Sequence, residues 1–118
     1  MNFIKSTCED AQKAIWQGYE KAVAAGAIKA AGGIEAPRAE LSKSEEAKGA
    51  FFSGFAMRNA SAFAMNPKEI AGIIAEHMRL EGTCFERIEI KGPGFINLYS
   101  SQRWYEGVLR GIEGEGEG

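Results

Sequence analysis

Phe95, Asn97 and Tyr99 alternate along the stretch Lys91-Gly92-Pro93-Gly94-Phe95-Ile96-Asn97-Leu98-Tyr99. A strand there carries all three on one face and Ile96 and Leu98 on the other. Two aromatic rings flanking an amide can stack on an unpaired base and hydrogen-bond its edge, which is how single-stranded RNA loops are usually recognised. Just upstream, residues 85–91 alternate as a second strand, with Ile88 and Ile90 on one face and Arg87, Glu89 and Lys91 on the other. Arg87 and Lys91 are therefore candidates to touch phosphate from the same surface. A plainer reading stands beside this one: Phe and Tyr suit any strand, and an Asn near a hairpin often only satisfies backbone groups.

Nothing in the sequence supplies a catalytic set. There is no Gly-rich phosphate loop and no nucleophile motif, and the one histidine, His77, has no carboxylate or nucleophile at a telling spacing. Cys8 and Cys84 are the only cysteines and lie far apart, without metal-ligand or redox-pair spacing. No catalytic residue and no metal site is expected, and both thiols read as small packing groups.

The elements that must position these residues follow from periodicity. Gly92, Pro93 and Gly94 force a tight reversal, so the two strands form a hairpin over 85–100 whose apolar side, Ile88, Ile90, Ile96 and Leu98, seeks a core. Ile4, Cys8, Ala11, Ile15, Tyr19 and Val23 recur at three- and four-residue steps, predicting one helix over 2–25 with Asn2 as cap and Trp16 at the core edge. Gly32, Gly33 and Pro37 end that pattern. A short edge strand is expected within 34–41, then a polar loop over 42–48. The stretch 49–64 holds Phe51, Phe52, Phe55 and Phe63 among alanines and reads as a helix, its phenylalanines core rather than partner surface and its Arg58 exposed. Asn66-Pro67-Lys68-Glu69 combines a capping Asn, a first-turn Pro and a capping-box Glu, so a helix starts there and runs to about 80. Ser100 or Ser101 can cap a last helix to about 112 through Trp104, Val108, Leu109 and Ile112, after which Glu and Gly alternate as a flexible linker over 113–118. The expected class is α+β, a small antiparallel sheet packed on one face by about four helices, with the domain over 1–112.

At 118 residues, 45% hydrophobic and 25% charged, the chain has the size and balance of one globular domain with a single core. It contains no apolar run long enough to span a membrane, and its first residues lack the blocks of a signal peptide, so a cytoplasmic protein is expected. The net charge of −2 argues against a free-standing nucleic-acid binder. A tethered module escapes that objection, because it works at roughly millimolar effective concentration. One stacked base contributes about 1–3 kcal/mol against an association cost of at least ~4 kcal/mol. Binding by such a domain alone is therefore expected to be very weak.

Gly92-Pro93-Gly94-Phe95-Ile96-Asn97, preceded by Arg87-Ile88-Glu89-Ile90 and followed by Trp104, resembles the signature that closes the N-terminal domain of arginyl-tRNA synthetases. A second block, Lys48-Gly49-Ala50-Phe51-Phe52-Ser53, then Ala56-Met57, then Met65-Asn66-Pro67-Lys68-Glu69-Ile70-Ala71, is similar to that family's Gly-Asp-Phe-Ala segment and the Asn-Pro-x-x-Ile-Ala helix start after it. With the leading helix the resemblance spans nearly the whole chain. It implies a domain that contacts the D-loop at the elbow of tRNA(Arg), with Phe95 and Asn97 at positions that read a base; Tyr99, on the same face of the strand, is expected to support or extend the platform. It also implies a parent arginine ligase, whose separate catalytic core binds ATP and arginine. The family's His-Ile-Gly-His and Lys-Met-Ser-Lys signatures are missing here, so this chain is expected to be inactive alone, without a cofactor of its own, and to be a piece of a longer enzyme. Two positions depart from the pattern: Ala50 where Asp is usual, expected to weaken the cap of the following helix, and Gly54 where Asn is common. A non-catalytic interaction or scaffold module of the same fold is the alternative.

Overall fold

The computed structural model describes residues 3–42 and 50–100. The expected polar loop before Gly49, the last helix with Trp104 and the Glu/Gly linker lie outside those residues, apart from Ser42 and Ser100. Among the described residues three helices and four strands follow one another as α1 (Phe3–Ala24), β1 (Glu40–Leu41), β2 (Ala50–Ser53), α2 (Phe55–Phe63), α3 (Pro67–His77), β3 (Phe85–Lys91) and β4 (Phe95–Ser100). The strands form one antiparallel sheet in the order β1-β2-β4-β3, so β4 is central and β1 is the short edge strand. An α+β fold with a small antiparallel sheet is what the periodicities imply.

The helices lie on one face of the sheet. Ile96 and Leu98 of β4 and Phe51 of β2 are fully buried there against Phe55 of α2 and Ile70 and Ile74 of α3, and Ile15 of α1 joins the same cluster. Burying side chains of that size stabilises the fold by about 1.5–3 kcal/mol each. On α1, Ala11, Ile15 and Tyr19 are buried as their spacing predicts, joined by Ala14 and Ala22, while Cys8, Trp16 and Val23 are half-buried. Gly18 lets α1 approach α3 closely: a Cβ there would lie 2.5 Å from Met78 Cγ and 2.8 Å from the Ile74 carbonyl oxygen. Asn66 caps α3 as predicted, its side-chain oxygen accepting from the Lys68 N–H at 2.8 Å, with Pro67 in the first turn. That helix ends at His77, earlier than its pattern suggests, where His77 Nδ1 lies 2.9 Å from the Ile73 carbonyl oxygen.

Two expectations are corrected. The stretch read as one helix over 49–64 is a strand followed by a helix, because Gly54 interrupts it. Its two adjacent phenylalanines consequently part company, Phe51 into the core and Phe52 onto the opposite face, half-buried. Ala50 then cannot be the cap position. It lies in β2, fully buried and paired with Tyr99, whereas the N-cap of α2 is Gly54, which offers no side-chain acceptor. It is therefore at Gly54 that a capping side chain is missing; the nearby Ser53 Oγ accepts from the Phe55 N–H at 3.3 Å.

The hairpin also holds a feature that alternation does not reveal. The pairing shifts between Phe85, opposite Ser100, and Arg87, opposite Tyr99, so Glu86 is an extra residue in β3. The bulge lets Phe85 turn inward, edge-to-face on Phe51 at 5.7 Å, while Arg87 two residues later faces outward.

Candidate functional site

The sheet face turned away from the helices is built from three cross-strand rows. Ala50, Tyr99 and Arg87 form one, Phe52, Asn97 and Glu89 the next, and Phe95 and Lys91 the last, beside the turn. The structure thus brings all five residues singled out in the sequence, Phe95, Asn97, Tyr99, Arg87 and Lys91, onto one surface. It places Phe52 and Glu89 among them.

Asn97 sits at the centre of this face with 8% of its surface exposed, and its Oδ1 is buried with no hydrogen-bond partner among the described residues. The other buried asparagine among the described residues is its opposite. Asn59 accepts the Glu35 N–H at 2.7 Å and donates to the carbonyls of Phe55 at 2.9 Å and Glu35 at 3.2 Å, pinning the segment after α1 onto α2. A buried acceptor without a partner costs about 1–3 kcal/mol. Asn59 has a structural task, and Asn97 Oδ1 has none within the described fold.

Phe95 is half-buried beside that amide. Its ring meets the Phe52 ring nearly at right angles, with centroids 5.9 Å apart. Glycines stand at two further points around it: a Cβ on Gly92 would lie 3.6 Å from Phe95 Cδ2, and one on Gly54 3.8 Å from Phe95 Cε1.

Tyr99 is placed differently. Its ring is 8% exposed, the Arg87 guanidinium carbon lies 3.8 Å from the ring centroid, and its hydroxyl donates to Glu89 Oε1 at 3.3 Å. Glu89 also pairs with Arg87 and, at 3.5 Å, with Lys91. Partial desolvation pushes the Glu89 carboxyl up, but the Arg87 and Lys91 cations together outweigh it and hold it below the usual carboxylate range. The Lys91 ammonium is held above its ordinary value, first by the Tyr99 oxygen and then by Glu89. Tyr99 and Glu89 thus hold two half-exposed cations at the margin of the face, in reach of an anion.

The remaining chemistry is sparse. Among the described residues no group of three or more His, Cys, Asp or Glu side chains is arranged to hold a metal ion, and no helix is long and apolar enough to cross a membrane. Burial pushes the Cys84 thiol up to about 11 and raises that of Cys8, so both stay protonated at neutral pH. Arg58 is exposed and lies 3.9 Å from Glu35. A groove of about 740 Å³ runs between α1 and the segment around Pro37, lined by Gln12, Trp16 and Gln17 among others, on a different surface from Asn97.

Sequence reasoning missed Phe52 and the tie between Glu89 and Tyr99. The signal for Phe52 was present: two adjacent phenylalanines between small residues, followed at once by a glycine, suit a short strand better than a helix start.

Comparison with known proteins agrees with the motifs. Residues 12–99 match the family described as the arginyl tRNA synthetase N terminal domain. An arginine–tRNA ligase of Symbiobacterium thermophilum is 36% identical over 116 residues, covering 98% of this chain and 20% of the relative. Those of Desulforamulus reducens and Acetivibrio thermocellus are 42% and 37% identical over 64% and 62% of the chain, which cover 12% and 13% of those ligases. The chain therefore spans a fifth or less of the length of these relatives.

Proposed function

The chain belongs to the arginyl-tRNA synthetase N-terminal domain family, and from that premise we propose that it is the tRNA-reading domain of an arginine–tRNA ligase. The domain is assigned to residues 1–112, and a separate catalytic core of the parent ligase binds ATP and arginine and carries out arginylation in the cytoplasm. This chain contributes binding and orientation: it holds the elbow of tRNA(Arg) so that the acceptor end reaches the core. Phe95 stacks on a D-loop base splayed out of its helix, Asn97 hydrogen-bonds the base edge, and Arg87 and Lys91 meet phosphate while Tyr99 supports them.

The observation that carries this reading is the buried, unpartnered Oδ1 of Asn97 beside a half-exposed aromatic ring. A buried acceptor that the described residues leave unpaired calls for an explanation, and a ligand donor supplies one. The net charge of −2 fits a module whose grip comes partly from the rest of the ligase.

The test is kinetic. Stacking is worth about 1–3 kcal/mol per base, or about five- to 160-fold in affinity. In the complete ligase, Phe95→Ala and Asn97→Ala should each raise KM for tRNA(Arg) by a factor in that range, with the domain still folded and the KM values for ATP and arginine unchanged. Unchanged tRNA kinetics in both variants contradicts the assignment.

A further inference from the structure

Phe52 lies directly across the strand pair from Asn97 and presents its ring nearly perpendicular to that of Phe95, 5.9 Å away. It faces away from the helices and is only half-buried, so filling the core does not account for it. We propose that Phe52 is a positioning residue of the base-reading face, fixing the Phe95 ring in one orientation and closing the side of Asn97 that water would otherwise reach. The inference rests on the reading of this face as an RNA site and names what makes its aromatic contact specific.

Phe95 needs such a partner. It is the first residue of β4, directly after a turn with glycine on both sides of Pro93, and where further side chains would wall its ring, Gly92 and Gly54 stand instead. Those glycines leave room for a flat group to approach. Among the ring contacts of the described residues, Phe52 is the aromatic partner that Phe95 has. An edge-to-face contact favours one ring orientation by about two- to tenfold over the alternatives, so an incoming base meets a preformed surface and loses less freedom on binding. A ring opposite Asn97 also limits the water that could pair with Oδ1 before a base does.

The experiment compares the wild-type chain with Phe52→Tyr, which keeps the ring, and Phe52→Leu, which keeps apolar bulk without it. The readouts are the Phe95 ring-proton resonances of the free protein and the shift of the Asn97 side-chain amide on adding a D-arm RNA hairpin to millimolar concentration. Phe52→Tyr should match the wild type in both. Phe52→Leu should keep its thermal midpoint, move the Phe95 resonances and reduce the RNA-induced shift by about two- to tenfold. Equal RNA responses in wild type and Phe52→Leu overturn the positioning role while leaving the RNA site intact. No response in the wild type overturns the RNA reading itself.

Discussion

Gly94 is pressed against Pro67: a Cβ at Gly94 would lie 3.0 Å from both the carbonyl carbon and the carbonyl oxygen of Pro67, at a backbone φ of +140°. The two motifs that are most legible in the sequence, the helix start at Asn66-Pro67 and the turn at Gly92-Pro93-Gly94, therefore touch in space. Their contact fixes how the hairpin sits on α3, and so where β4 presents Phe95 and Asn97.

Gly94→Ala should consequently lower stability by about 1–3 kcal/mol, the cost of holding a side chain in a backbone region that only glycine populates. Denaturant unfolding followed by circular dichroism measures it. A variant as stable as the wild type would show that the turn and α3 yield to each other without strain.

The two buried asparagines should respond in opposite directions. Asn59→Ala removes three hydrogen bonds and leaves the Glu35 and Phe55 backbone groups short of partners, which predicts a loss of about 2–3 kcal/mol. Asn97→Val replaces a buried amide, whose oxygen is unpaired, with a side chain suited to a strand. Stability should hold or rise by about 1 kcal/mol, while RNA binding is lost. A large loss in Asn97→Val would mean that its amide serves the fold.

Much of the scaffold was open to inspection in the sequence. The apolar spacing of α1, the cap of α3 and the alternation of the hairpin each state their element locally, and Ile88, Ile90, Ile96 and Leu98 face the helices as that alternation requires. The face shared by Phe95, Asn97, Tyr99, Arg87 and Lys91 was legible for the same reason. Phe52 was not, because its role depends on the pairing of β2 with β4, and strands separated by two helices announce no register in either segment alone. The bulge at Glu86 was hidden too, since an extra residue in one strand has meaning only against its partner.

The cluster around Tyr99 should open in acid. Because the folded-state pKa of Glu89 is depressed, its contribution is present above the ordinary value of 4.5 and is lost as pH falls through the lower folded value. Arg87 stacks on Tyr99 while tied to Glu89. The ring-current shift of the Arg87 side-chain protons should therefore fade below pH 4.5, and Glu89→Gln should show it diminished already at neutral pH. A Glu89 titration midpoint above 4.5 would contradict this arrangement.

The claim that the face around Asn97 reads RNA is tested most directly by NMR titration of the 118-residue chain with a D-arm hairpin, every backbone and side-chain amide being followed to millimolar RNA. The predicted result is weak binding with shifts confined to Phe95, Asn97 and Tyr99 and their cross-strand neighbours Phe52, Arg87, Glu89 and Lys91. Silence at millimolar RNA would contradict it and favour a protein-interaction module of the same fold, and shifts gathered instead around Trp16 and the groove beside α1 would contradict it by placing RNA on another surface.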